Sequence, residues 1–182
     1  MRIISGVHKG KRLIAPKKLP VRPTTDMQKE ALFNILNNWY FIAEISVLDL
    51  FSGTGNIAYE FASRGTKSII AVDVNYACVS FINKTTKELK LPIKVVKSDV
   101  FKYLKKIKLQ VDIIFADPPY TIGLESFEKL PSLIFSKRLL KENGVLIIEH
   151  ATQTDLSHLS YFIEARKYGS SMFSFFKEET SN

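Results

Sequence analysis

The sequence predicts an α/β fold: a mostly parallel sheet with helices on both faces and an antiparallel hairpin at one edge. Three observations predict it. From Ser46 onward, short apolar runs alternate with amphipathic helical segments, the pattern of successive βαβ units. The apolar runs, such as Val111–Ala116, are nearly continuous, as in parallel strands buried on both faces. After about Tyr161 the chain changes character: two β-prone runs hinge at Gly169, with no room for a helix between them.

Taken in order, Arg2–Ser5 and Arg12–Ala15 are β-prone runs separated by Gly6-Val-His-Lys-Gly10, and they read as a hairpin-like extension. Pro16, Pro20 and Pro23 punctuate a non-helical link. Thr25 and Gln28 fit a capping box, and a helix to about Tyr40 follows from the helical spacing of Ala31, Leu32, Ile35, Leu36 and Trp39. The expected strands of the alternation are Val47–Phe51, Ser68–Asp73, Ile93–Lys97, Val111–Ala116 and Val145–Glu149. The helices between them are expected at Asn56–Arg64, Tyr76–Leu89, Val100–Lys106 and Glu125–Phe135. The closing hairpin is expected over Tyr161–Tyr168 and Ser170–Lys177. This divides the chain into a basic extension, 1–25, and an α/β domain, 26–182.

With 182 residues, 46% hydrophobic and 24% charged, the composition is that of an ordinary globular domain. No apolar run approaches the ~18 residues of a membrane span, and the N-terminus lacks a signal-peptide core. The single cysteine, Cys78, excludes an internal disulfide, makes the cytosol the default compartment, and falls in the apolar pattern of a helix. His8, His150 and His158 are too dispersed to make a metal set, so no metal is expected. Glu149 and His150 read as structural, Phe173, Phe175 and Phe176 as packing, and Lys102, Lys105, Lys106 and Lys108 as a solvated helix face.

The net charge is +8, and its location is informative. The first 25 residues hold Arg2, Lys9, Lys11, Arg12, Lys17, Lys18 and Arg22 and no acid; those seven of the 26 basic residues leave 19 against 18 acidic ones elsewhere. Such a segment is an electrostatic footprint for a polyphosphate, and His8 can join it.

Four strand ends carry the chemistry. Asp49-Leu-Phe-Ser-Gly-Thr-Gly-Asn56 joins the first sheet strand to a helix, where Gly53 and Gly55 allow a tight turn and close approach by a ligand. Asp73 ends the next strand, placed for the hydroxyls of a ribose, and Asp99 follows the third, where it can face an adenine amine. With Phe51, Val74 and Val100 these residues make the candidate cofactor set. Gly53-x-Gly55-x-x-Ala58 also matches a loosened dinucleotide fingerprint. Asp49, however, disfavours a pyrophosphate and suits the cationic aminoacyl sulfonium of S-adenosylmethionine. At the end of the fourth strand stands Asp117-Pro-Pro-Tyr120. Asp117 can accept hydrogen bonds from an exocyclic amine, Pro118 and Pro119 make a stiff loop with free carbonyls, and Tyr120 offers a flat face to a base.

These motifs, together with Arg2-Ile-Ile-Ser-Gly6, Lys9-Gly-Lys-Arg-Leu13, Arg22-Pro-Thr-Thr-Asp26, Glu30–Leu36, Ser63-Arg-Gly65 and Tyr168-Gly169, resemble the RsmD family of bacterial 16S rRNA guanine-N2 methyltransferases over essentially the full length. Asn56 and Tyr59 on the first helix, and Asp73 where Glu is common, depart from the family pattern. The resemblance implies a seven-stranded Rossmann-like class I methyltransferase domain, S-adenosyl-L-methionine as cofactor, and a guanine of 16S ribosomal RNA as acceptor. It puts the catalytic role on Asp117, Pro118, Pro119 and Tyr120, and RNA contacts on Arg2, His8, Lys9, Lys11, Arg12, Arg22 and Thr24. The expected partner is rRNA, free or in an assembling small subunit, and the expected state a cytoplasmic monomer with no membrane association. A DNA adenine-N6 methyltransferase and a non-catalytic RNA-binding assembly factor are the alternatives.

Overall fold

The computed structural model describes residues 1–16, 19 and 25–178. Helix α1 (Asp26–Trp39) starts as expected: Thr25 Oγ1 accepts from the Gln28 amide, and Gln28 Oε1 accepts from the Thr25 amide. Two orphan N–H groups of the first turn are thereby satisfied. The alternation that follows is β1 (Ser46–Leu50), α2 (Asn56–Ser63), β2 (Ser68–Asp73), α3 (Tyr76–Leu89), β3 (Ile93–Lys97), α4 (Val100–Lys106), β4 (Val111–Ala116), α5 (Leu124–Ser136) and β5 (Leu140–Ala151). The chain closes with β6 (Phe162–Tyr168) and β7 (Ser171–Phe176).

The strands form one seven-stranded sheet in the order β3-β2-β1-β4-β5-β7-β6. β1 to β5 are parallel, and β7 runs antiparallel to both β5 and β6. The closing hairpin thus lies at the sheet edge as expected, with its second strand on the inside. β5 begins five residues before the expected Val145, at Leu140. Lys141-Glu-Asn-Gly144 has the composition of a turn, and the ladder does break there: Val111 pairs with Leu140, and pairing resumes only at Ile113 with Val145. At the N-terminus the hairpin-like extension contains a single antiparallel bridge, Arg2 with Arg12, flanked by hydrogen bonds such as Ile3 N to Lys11 O (3.0 Å) and Leu13 N to Met1 O (3.0 Å).

Alternate residues of each central strand feed opposite faces of the sheet. Ile113, Phe115, Val145, Ile147, Phe173 and Phe175 pack toward α1, α2 and α3 with Leu32, Phe61 and Ile82. Ile114, Ala116, Leu146, Ile148 and Phe176 pack toward α4 and α5 with Leu104, Leu130 and Ile134. Ile3 and Leu13 of the N-terminal segment belong to the first of these clusters. Cys78 is buried, and the His150 ring sits between β5 and β7, with Nε2 2.7 Å from Ser174 Oγ. Lys102, Lys105, Lys106 and Lys108 are exposed. No described helix is long and apolar enough to cross a membrane.

The strand order fixes the place of the site. From β1 the chain moves outward to β2 and β3, then returns to β4 on the other side of β1. The carboxyl ends of β1 and β4 therefore flank a topological switch point, where the diverging connections leave a crevice.

Candidate active site

The loop after β1 is held by its own backbone. Phe51, Gly53 and Gly55 have φ of 56°, 53° and 81°. The Ser52 amide donates to Val72 O (3.1 Å), and the Gly55 amide to Ser52 O (2.7 Å). Gly55 is required twice over. Its φ is left-handed, and a Cβ there would meet Ile82 Cγ1 and the Tyr59 ring at 3.0 Å. Helix α2 starts on Gly55 without a side-chain cap, so its first amides are left for other acceptors.

One of those amides, from Ala58, donates to the carboxyl group of Asp49. Asp49 is 2% exposed, and its Oδ2 has no partner among the described residues. Burial, with a smaller contribution from the nearby Asp73 charge, pushes the carboxyl pKa up to about 8 despite the Ala58 bond. A buried carboxyl with an orphaned oxygen, at the base of a glycine turn, is matched to a cationic group rather than to a phosphate.

Asp73 closes the loop from the β2 side. Its Oδ2 accepts from the Gly53 amide (2.8 Å) and its Oδ1 from the Asn75 amide (2.7 Å). Each oxygen keeps a second lone pair for a hydroxyl. The Ser98 amide donates to Asp73 O (3.0 Å), which ties the end of β3 to the end of β2. Asp99 is exposed and caps α4, accepting from the Lys102 amide (2.9 Å). Val100 is buried beneath it, whereas Val74 is 64% exposed at the mouth. Phe51 and Phe101 meet edge to face with centroids 6.4 Å apart, making an apolar wall beside Asp99. Phe101 is a site residue that motif reading passes over, because it occupies an ordinary helical position. Three acids at successive strand ends, a glycine turn and an aromatic wall could hold a nucleoside with a cationic tail such as S-adenosyl-L-methionine.

Across the switch point, Asp117 follows directly on the pairing of Ala116 with Leu50, and its amide donates to Leu50 O (3.4 Å). That puts the half-buried Asp117 beside Phe51, one strand spacing of about 4.8 Å from the cofactor loop. Pro118 is buried and Pro119 exposed. The proline carbonyls are not both free. Pro119 O accepts from the Ile122 amide (2.9 Å) and opens a 3-10 turn over Tyr120–Ile122. Tyr120 begins the turn, and its side chain lies outside the described residues.

The basic segment lies against α1 and α2. Lys9, Lys11 and Arg12 are exposed, and His8 is half-buried with its amide donating to Ser63 Oγ (3.0 Å). Arg2 pairs with Asp26 at the surface (3.0 Å). Lys17, Lys18, Arg22 and Thr24 lie outside the described residues. Among the described residues no group of His, Cys, Asp and Glu is arranged to hold a metal ion.

A comparison with known proteins gives the chain its relatives. It is 33% identical to a putative rRNA methyltransferase of Bacillus subtilis, YlbH, over 161 residues, covering 86% of this chain and 85% of that protein. It is 31% identical to ribosomal RNA small subunit methyltransferase D of Buchnera aphidicola over 150 residues, covering 82% of this chain and 75% of the relative. The fold is that of a putative methyltransferase from Escherichia coli, yhhF, with a TM-score of 0.86, 24% identity and coverage of 100% of this chain and 99% of the other. The family described as Conserved hypothetical protein 95 matches residues 1–177, nearly the whole chain, and the protein belongs to that family, the RsmD family that its motifs resemble.

Proposed function

We propose that this protein methylates the exocyclic N2 amine of a guanine in 16S ribosomal RNA, with S-adenosyl-L-methionine as methyl donor. The observation that carries the reading is the juxtaposition at the switch point: Asp117 at the end of β4 stands beside the glycine turn at the end of β1. Two relatives named as rRNA methyltransferases support RNA as the acceptor, and so does the acid-free basic segment.

The cofactor supplies an electrophilic methyl group. The protein must make a poor nucleophile attack it, since the lone pair of a guanine 2-amino group is conjugated with the ring. Asp117 and the Pro118 carbonyl accept the two amine hydrogens and turn the lone pair out of the ring plane. Pro118 and Pro119 keep those acceptors stiff, so the contribution is orientation and preorganised electrostatics. The amine gains the methyl and loses one proton, which Asp117 takes up. Tyr120 stacks on a base drawn out of the RNA. Lys9, Lys11 and Arg12, with His8, Arg2, Arg22 and Thr24, hold the phosphate backbone. The acceptor is rRNA in the cytoplasm, free or in an assembling small subunit, and a single copy of the chain does the work.

Asp117→Ala tests the assignment. It lowers kcat by roughly two to three orders of magnitude, the scale of removing one transition-state contact. S-adenosylhomocysteine affinity, measured by calorimetry, stays within about twofold, since the cofactor residues belong to other strand ends. Near-wild-type turnover in that variant contradicts the assignment.

A further inference from the structure

Lys29, Glu60 and the Ser63-Arg-Gly65 run take no part in the site described above, and they meet under the N-terminal loop. Lys29 of α1 and Glu60 of α2 have fully buried side chains, with Nζ 3.2 Å from Oε2. Burial pulls the lysine pKa below its ordinary value, and the Glu60 carboxylate opposes that pull. Such a pair adds little net stability, because desolvation offsets most of the attraction; its best-attested use is to select one arrangement.

The other partners of the pair identify that arrangement. Glu60 accepts from the Ile4 amide (2.8 Å), the Ser5 amide (3.0 Å) and Arg64 Nε (2.8 Å). Arg64 also lies over the Phe33 ring, 4.3 Å from its centroid, joining α2 to α1. Ser63 accepts from the Val7 amide on its carbonyl (2.8 Å) and from the His8 amide on its hydroxyl (3.0 Å), and it donates to Ser5 O (2.6 Å). The approach is so close that a Cβ on Gly6 would lie 1.8 Å from Ser63 O. Lys29 Nζ, meanwhile, donates to Arg2 O (2.5 Å) and to Asn56 Oδ1 (2.9 Å). Asn56 opens α2 directly after Gly55 of the cofactor loop. Thr54 of the same loop donates to Met1 Sδ (3.6 Å). One buried ammonium therefore touches both the segment that carries Lys9 and Lys11 and the helix start that closes the cofactor turn.

We infer that Lys29 and Glu60 are positioning residues that lock the basic loop to the cofactor loop, so that rRNA and cofactor bind with positive cooperativity. The inference rests on the rRNA reading above. Each ligand, by favouring the arrangement that the shared pair selects, favours the arrangement that the other ligand binds. Linkage then demands the same coupling factor in both directions. A pair with only a packing role lowers stability and both affinities in parallel and leaves the coupling factor unchanged.

The experiment measures S-adenosylhomocysteine affinity with and without saturating unmodified small-subunit rRNA, and rRNA affinity with and without saturating S-adenosylhomocysteine. The RNA is a protein-free transcript or the small subunit, whichever the wild type methylates. The wild type shows a factor of about five or more, the lower bound of ordinary allosteric coupling. In Lys29→Met, of similar length but unable to donate to Arg2 O and Asn56 Oδ1, the factor falls close to one. Ser63→Ala leaves the ion pair intact and removes only the hydroxyl contacts to Ser5 and His8; it lowers the factor by at least half and decides the question if Lys29→Met does not fold. A wild type that methylates the rRNA with a factor of one, or folded variants that keep the wild-type factor, overturns this inference alone. A wild type that neither binds nor methylates the rRNA overturns the reading above as well.

Discussion

Asp49 shows how one residue can link stability to ligand choice. Its carboxyl pKa rises from 3.8 to about 8 on folding, so the folded chain binds a proton that the unfolded chain releases. Between these two values the unfolded state holds fewer protons, and stability falls as pH rises. The contribution is fully present below about pH 4 and is lost as pH approaches 8. Thermal melts of the cofactor-free protein across that range will show the fall, and Asp49→Asn, which cannot ionise, flattens it. A melting temperature in the variant that tracks the wild type at every pH excludes Asp49 as the source. A cation in the site reverses the logic by stabilising the ionised carboxylate, so cofactor affinity rises with pH up to about 8 in the wild type. The orphaned oxygen is a local compromise of the kind that functional sites carry.

At the scale of elements, β2, β3 and β4 were legible residue by residue: β2 and β4 read as nearly unbroken apolar runs, and the edge strand β3 as a short β-branched run between Leu91-Pro92 and Ser98-Asp99. The start of β5 was not, because Lys141-Glu-Asn-Gly144 has turn composition while the backbone bulges and rejoins the ladder. The places of Asp73 at the end of β2 and of Asp99 at the cap of α4 followed from the strands before them. The Lys29–Glu60 pair was not. Ile4 and Glu60 lie 56 positions apart, and no local spacing records their contact. The available signal was a charged residue on an apolar face, since Lys29 shares its helical face with Leu32, Phe33 and Leu36. The N-terminal element makes its own prediction. Held against α2 by backbone bonds, it presents Lys9, Lys11 and Arg12 outward as a fixed set. Neutralising all three lowers the magnitude of the slope of log K against log salt for rRNA binding by about 2, at roughly 0.7 per phosphate contact on a single strand. An unchanged slope removes these side chains from the interface.

On the scale of the whole molecule, the sheet order decides what the parts can do together. β1 and β4 are far apart in sequence, yet their carboxyl ends are neighbours, and each carries one half of the proposed site: the glycine turn and the Asp117 loop. The N-terminal segment shares the core of α1 and α2 through Ile3 and Leu13 and runs along α2 from Asn56 to Ser63, with Lys9, Lys11 and Arg12 exposed. The cofactor turn and the Asp117 loop thus converge on one end of one sheet. The choice of guanine N2 within that arrangement is the central claim, and nucleoside mass spectrometry tests it most directly. Unmodified small subunits and protein-free 16S rRNA are incubated with the protein and S-adenosyl-L-methionine, then digested to nucleosides. N2-methylguanosine appears in at least one of the two and is absent when Asp117→Ala replaces the wild type. N2-methylguanosine in neither contradicts the account.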